Sequence, residues 1–279
     1  MSGVLYVIAT PIGNLDDFSP RAARALAEAD VILCEDTRHS KKLLDRVGAK
    51  GRPLSFHEHN ERDRLPEVLQ ILKSGRNVAL ISDAGTPALS DPGFPLVRAC
   101  REAGVAVVPL PGPMAAVTAL MAAGLPTDRF AFLGFPPETA GKRAQALAEA
   151  ALLPMTVVFY LSPHKTARQM PDLAAAFGER PAVLARELTK IYEEFIVGTV
   201  AGLAAQLTAE PPKGELVLVI QGKPEAKATD DEKQETLARF TAEGLSGRRL
   251  AKALQERLGL PRGEAYKLAL SVDETAGDE

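Results

Sequence analysis

Residues 77–93 read Asn-Val-Ala-Leu-Ile-Ser-Asp-Ala-Gly-Thr-Pro-Ala-Leu-Ser-Asp-Pro-Gly. An apolar run of strand length passes into Gly and Pro and then into a helix-forming segment. That order is expected of a buried parallel strand that delivers a loop to one sheet edge. Residues 105–118, Val-Ala-Val-Val-Pro-Leu-Pro-Gly-Pro-Met-Ala-Ala-Val-Thr, repeat it. Residues 8–15, Ile-Ala-Thr-Pro-Ile-Gly-Asn-Leu, follow the first apolar run in the same way. Ligands of open α/β sheets sit beyond the carboxyl ends of the strands. Small residues there let a ligand approach the backbone, and Ser82, Asp83, Thr86 and Ser90 offer polar groups. A single turn needs its Gly and Pro for geometry alone; three of one kind at one edge make a site. Neither G-x-G-x-x-G nor G-x-x-x-x-G-K-[ST] occurs, so the ligand loop is of another type.

Working outward, strands are expected at 5–10, 31–35, 53–57, 78–83 and 105–110, with helices at 20–29, 65–74 and 114–123. This β-α alternation predicts right-handed crossovers and a parallel sheet. A second half has strand patterns at 130–135, 156–161, 182–188, 195–199 and 215–220, with helices at 139–151 and 165–177. The adjacent runs near Leu188 and Phe195 predict an antiparallel hairpin, hence a mixed sheet. The fold class is α/β: an N-terminal α/β domain over 1–120 and a second over 121–222. A polar linker over 223–234 leads to three short helical patterns in 235–279, a helix-turn-helix-like unit.

The chain has 279 residues, 46% hydrophobic and 25% charged, an ordinary globular balance. No apolar stretch reaches bilayer length. The first residues lack the basic start of a signal peptide. Cys34 and Cys100 lie in apolar segments without C-x-x-C spacing, as buried free thiols of a reducing cytoplasm would. The net charge of −3 excludes a uniformly basic nucleic-acid binder but not a basic face.

Five clusters carry possible chemistry. Cys34-Glu35-Asp36-Thr37-Arg38-His39-Ser40-Lys41-Lys42 gathers charge at a strand end. It suits an anionic substrate, with Arg38, Lys41 and Lys42 on phosphates; equally, it is a solvated helix start capped by Asp36 and Thr37. Phe56-His57-Glu58-His59 is not H-E-x-x-H, and no metal site is expected. Tyr160-Leu161-Ser162 and Arg186-Glu187-Leu188-Thr189-Lys190 again gather polar groups at strand ends. Between residues 245 and 268 six basic residues, Arg248, Arg249, Lys252, Arg257, Arg262 and Lys267, face two acidic ones. That asymmetry suits nucleic-acid phosphate or a solvated helix face.

Thr10-Pro11-Ile12-Gly13-Asn14-Leu15, Cys34-Glu35-Asp36-Thr37-Arg38, Ser82-Asp83-Ala84-Gly85-Thr86-Pro87, Ser90-Asp91-Pro92-Gly93, Pro111-Gly112-Pro113 and Arg186-Glu187-Leu188-Thr189-Lys190 together resemble the tetrapyrrole-methylase superfamily. Within it they resemble the ribosomal RNA branch, over residues 4–222 and the helical tail. The first loop departs from the G-x-G-P-G-D type of the tetrapyrrole and diphthine branches, which fits the RNA branch. The resemblance implies S-adenosylmethionine (SAM) in the cleft between the α/β domains, lined by Pro11, Asp83, Thr86, Leu89, Met114, Ala115, Leu161 and Arg186. It implies a 16S rRNA partner, a decoding-region cytidine 2′-hydroxyl as acceptor, and a homodimer. A hydroxyl nucleophile needs a proton acceptor; Glu35, His39, His57 and Glu187 are the candidates, unranked. Arg38, Lys41, Lys42, Arg248, Arg249 and Lys252 are the expected RNA contacts. The rival readings are a small-molecule methyltransferase acting on a tetrapyrrole and a non-catalytic RNA-binding assembly factor.

Overall fold

A computed structural model of the chain describes residues 2–210, 212–224 and 228–275, with side chains as far as residue 271. Residue 211, in the proline pair before the last expected strand, and residues 225–227 of the expected linker lie outside the described residues. The chain divides into two compact units, Met1–Lys223 and Pro224–Glu279.

The first unit opens with β1 (Val4–Ile8), α1 (Pro20–Glu28), β2 (Val31–Cys34), α2 (Thr37–Val47), β3 (Arg52–Ser55), α3 (Glu61–Lys73), β4 (Val78–Ile81), α4 (Phe94–Glu102) and β5 (Ala106–Leu110). The strands form a five-stranded sheet in the order β3-β2-β4-β1-β5, and every pairing is parallel. Both edges carry a proline, Pro53 in β3 and Pro109 in β5. An edge strand tolerates the missing donor, whereas an inner strand would lose a ladder bond. Inner β2 and β4 are buried at every position, as strands covered on both faces must be. Val31, Leu33, Val78 and Leu80 pack under α3 and α4. The alternate residues Ile32, Cys34, Ala79 and Ile81 pack under α1 and α2. Truncating such a side chain, Leu80→Ala for example, costs about 2–5 kcal/mol.

Next come α5 (Ala115–Ala122), β6 (Phe130–Phe132), α6 (Ala140–Ala151), β7 (Thr156–Leu161), α7 (Pro163–Phe177), β8 (Pro181–Arg186), β9 (Glu194–Thr199), α8 (Val200–Ala209) and β10 (Leu216–Ile220). Their sheet runs β6-β7-β10-β8-β9. It is mixed: β6 joins β7 in parallel, and the remaining pairs, the β8–β9 hairpin included, are antiparallel. Val157, Phe159, Leu184 and Leu218 face α6, α7 and α8. Val158, Val183, Val217 and Val219, on the opposite face, pack against Ala116, Ala119 and Leu120 of α5 and against Ile12. A helix and a loop of the first half thus complete the core of the second. The two α/β halves therefore form one compact unit.

Helix α8 has no counterpart among the sequence expectations, whereas α4 is the helix-forming segment after Gly93 and α2 the helix start that is one of two readings of the charged run. The charged run over α2 exposes most of its surface and buries little besides Ser40, Leu43 and Leu44. Asp36 caps it, accepting from the Arg38 N–H at 2.8 Å, so this cluster is the capped helix start that the sequence offers beside an anion site.

The second unit holds α9 (Asp230–Ala242), α10 (Gly247–Leu258) and α11 (Arg262–Thr275). Its small core is Leu237, Leu250, Leu254, Leu260, Ala265 and Ala269. α9 begins inside the segment expected as linker. The reason is a capping box: Thr229 Oγ1 accepts from the Glu232 N–H at 3.2 Å, and the Thr229 N–H donates to Glu232 Oε2 at 2.8 Å. Lys233 ties α9 to α11 through Glu264 at 3.0 Å. Arg248, Arg249 and Lys252 are exposed on α10. No helix among the described residues is long and apolar enough to cross a membrane.

Candidate functional site

The loops after β1, β4 and β5 leave the sheet side by side, because those three strands are neighbours. Backbone bonds clasp the first two: the Thr10 N–H donates to the Gly85 carbonyl at 2.8 Å, and the Gly85 N–H donates to the Thr10 carbonyl at 3.1 Å. Thr10 Oγ1 also donates to the Ser82 carbonyl at 3.1 Å. Thr86 Oγ1 donates to the Pro113 carbonyl at 3.0 Å, which brings in the third loop. Within the β4 loop Ala88 and Ser90 take positive φ, 66° and 68°. Non-glycine residues there cost on the order of 1–2 kcal/mol each. The Ala88 N–H bond to the Pro92 carbonyl at 3.2 Å helps hold that shape.

Two cavities open against these loops. The first, about 350 Å³, is largely apolar, with Ile12, Leu89, Ala115, Phe135, Tyr160, Leu161, Leu188 and Val217 on its walls and Thr86, Ser90, Asp91 and Ser162 among its polar groups. Its size lies within the range of small-ligand sites, roughly 300–1,000 Å³. Phe135 packs edge-on against Tyr160 with ring centroids 5.5 Å apart. The Tyr160 hydroxyl accepts from the Ala116 N–H at 3.4 Å. The second cavity, about 490 Å³, is more polar and is lined by Thr10, Pro11, Gly13, Arg38, His39, Lys42, Asp83 and Lys190, among others. Ile12, Ala84 and Glu215 line both cavities.

Carboxylates crowd behind this junction. Burial pushes the Asp91 carboxyl up to about 7, with the Glu35 charge adding to the rise and a Ser82 hydrogen bond opposing it. Burial also raises Glu35, against the Asp83 N–H that donates to it at 3.3 Å. In return Asp83 Oδ1 accepts from the Asp36 N–H at 3.2 Å. Glu35 and Asp83 thereby tie the ends of β2 and β4 together. Arg38, its side chain 90% exposed, makes two bonds to Asp36 at 3.2 and 3.0 Å and holds that carboxyl down to about 2. Cys34 and Cys100 are buried and unbridged, and burial raises both thiols.

The expected site residues separate into groups. Thr86, Leu89, Ala115 and Leu161 line the apolar cavity; Pro11 and Asp83 line the polar one. Met114 is the N-cap of α5. Arg186 pairs with Glu194 at 2.9 Å and is not among the residues of either lining. Of the proton-acceptor candidates, His39 faces the polar cavity. Glu35, His57 and Glu187 are absent from both linings. His57 is held by Asn60, whose side-chain oxygen accepts from the His57 N–H at 2.9 Å. Glu187 is bound to Lys190 and to the Glu215 N–H, each at 2.9 Å. Arg38 and Lys42 edge the polar cavity, whereas Lys41 pairs with Asp45 at 2.8 Å. Tyr160 belongs to a polar cluster singled out at a strand end, though without an assigned role, and Asp91 to a family motif; Phe135, in Gly134-Phe135-Pro136, carried no signal of its own.

The family model for Tetrapyrrole (Corrin/Porphyrin) Methylases matches residues 4–204, and the chain belongs to that family. The chain is similar to two proteins named Ribosomal RNA small subunit methyltransferase I. The Haemophilus influenzae protein is 43% identical over 97% of this chain and 98% of its own length. The Escherichia coli O157:H7 protein is 44% identical over 96% and 95%. Among solved structures, uroporphyrin-III C-methyltransferase from Thermus thermophilus, complexed with S-adenosyl homocysteine, matches with a TM-score of 0.56 at 20% identity. That match covers 78% of this chain and 97% of the other.

Proposed function

We propose that this protein transfers the methyl group of SAM to the ribose 2′-hydroxyl of a decoding-region cytidine in 16S rRNA, within the small ribosomal subunit. The observation that carries the reading is the pair of adjoining cavities, one apolar and one edged by Arg38, His39, Lys42 and Lys190. The relatives' names supply the rRNA substrate class, and the solved complex supplies a cofactor chemistry.

The apolar cavity fits SAM. Leu89, Phe135, Tyr160 and Leu161 offer flat and aliphatic surface to a purine, and Thr86, Ser90 and Ser162 offer hydrogen bonds to ribose and amino-acid groups. Bound SAM supplies an electrophilic methyl carbon. The chain's task is then alignment and exclusion of water, which alone can provide much of the rate. Ile12, Ala84 and Glu215 form the shared wall, where the acceptor oxygen would enter. His39 is the proton acceptor in this reading, because it alone among the candidates faces the polar cavity and histidine is the side chain suited to proton transfer near neutrality. Arg38 and Lys42 hold the RNA backbone. Arg248, Arg249 and Lys252 add phosphate contacts from the second unit.

A cytoplasmic homodimer belongs to the same reading. The exposed apolar side chains Phe94, Met121 and Val197 are available to such an interface. The experiment is transfer of labelled methyl from SAM to small subunits, naked 16S rRNA and a tetrapyrrole offered in parallel. Label in 2′-O-methylcytidine is expected; label on the tetrapyrrole alone contradicts the reading.

A further inference from the structure

The β8–β9 turn crosses the whole site in five residues. Leu188 lines the apolar cavity and Lys190 the polar one. Ile191 and Tyr192 then point outward, 94% and 73% exposed. Neither contributes to a hydrophobic core cluster, so the fold does not need them there.

The turn is built, not slack. Glu187 and Thr189 both take positive φ, 51° and 64°, at an appreciable cost for side-chain-bearing residues. The Thr189 N–H donates to Glu193 Oε2 at 2.6 Å, and the Glu193 N–H donates to the Lys190 carbonyl at 3.2 Å. Lys190 Nζ reaches Glu187 at 2.9 Å and Glu215 at 3.3 Å. From the first half, the Asn14 N–H donates to Thr189 Oγ1 at 3.1 Å. A side chain at Gly13 would collide with Thr189 and Lys190, so the two loops are pressed together.

A braced turn that holds an aromatic ring in water, two residues beyond the Lys190 that lines the polar cavity, matches the chemistry of single-stranded nucleic-acid binding. Cations track the phosphates there while aromatic faces stack on unpaired bases. Arg38 and Lys42 supply the cations across the cavity. Resting on the RNA reading above, we propose that Tyr192, flanked by Ile191, is the stacking platform for an unpaired base beside the acceptor nucleotide. It sets how the RNA enters and takes no part in the methyl transfer itself.

The test uses the full-length protein with small ribosomal subunits as the probe. Tyr192→Ala is expected to raise KM for the subunit roughly ten-fold with kcat and SAM affinity unchanged, and Tyr192→Phe to restore it. The chain contains no tryptophan, so Tyr192→Trp installs a single reporter whose emission is expected to quench when subunits are added. Unaltered KM in Tyr192→Ala, or unquenched emission from an active Tyr192→Trp, overturns the proposal. So does a Tyr192→Ala protein whose loss of RNA affinity tracks a smaller oligomer in light scattering, because the surface would then meet a second copy of the chain. A wild type that methylates no RNA overturns the functional reading together with this one; an active wild type with an indifferent Tyr192→Ala overturns this one alone.

Discussion

Thr10 and Gly85 exchange backbone hydrogen bonds in both directions, at 2.8 and 3.1 Å, and so fasten the loop after β1 to the loop after β4. This isolated bridge lies where the two strands stop pairing. It fixes Ile12 and Ala84, two of the three residues shared by both cavities, relative to each other.

Gly85 sustains the clasp with a φ of +85°. A Cβ there would meet Ile12 Cγ2 at 3.4 Å, an ordinary contact, so the penalty of Gly85→Ala lies in the backbone. That penalty is about 1–2 kcal/mol. Thermal unfolding should show a Tm lower by several degrees, and calorimetry should show weaker SAM binding. An unchanged Tm with unchanged affinity contradicts the role given to the clasp.

Asp91 gives a pH signature. Its folded-state value is raised from 3.8 to about 7, first by burial and then by Glu35. The folded protein therefore keeps a proton that the unfolded chain releases. The stabilising contribution is complete below about pH 4 and is lost as pH rises toward about 7. Wild-type Tm measured against Asp91→Asn should fall across that window and run parallel above it. Parallel curves throughout would remove the buried-acid account.

His39 and Glu35 should respond differently to substitution. His39→Ala is expected to lower kcat by about 10²–10⁴ while leaving SAM affinity intact. Glu35→Gln, which loosens the Asp83 loop from behind, should act mainly on stability and SAM binding. The reverse pattern in single-turnover and binding measurements would assign the base to Glu35.

Much of this was legible because strand physics is local. The runs that became β2 and β4 are apolar at every position, and only a strand buried on both faces needs that. Burial at α2 is confined to Ser40, Leu43 and Leu44, which is why the charged run reads equally as an anion site and as a capped helix start. The start of α9 was readable from Thr229-Asp230-Asp231-Glu232, a capping box concealed in a polar stretch. The site was legible as loops and not as side-chain directions. Glu35 and His39 stand four apart, yet the turn into α2 sends only His39 to the polar cavity. Tyr160 packs in the cluster that α5 forms with the second sheet and holds Phe135 edge-on, and no local pattern encodes those contacts.

The second unit should contribute RNA affinity through charge. With Arg248→Ala and Arg249→Ala combined, the slope of log affinity against log salt is expected to flatten by about 1.4–1.8, the loss of two phosphate contacts. SAM affinity should not move. A slope equal to wild type would remove these arginines from the RNA interface.

The most direct measurement is the position of the transferred methyl group. The protein is incubated with labelled SAM and small subunits, and the modified nucleoside is isolated and mapped. The expected product is 2′-O-methylcytidine at one decoding-region position, lost in His39→Ala. A base-methylated product, or label accepted by a tetrapyrrole and refused by RNA, would contradict it.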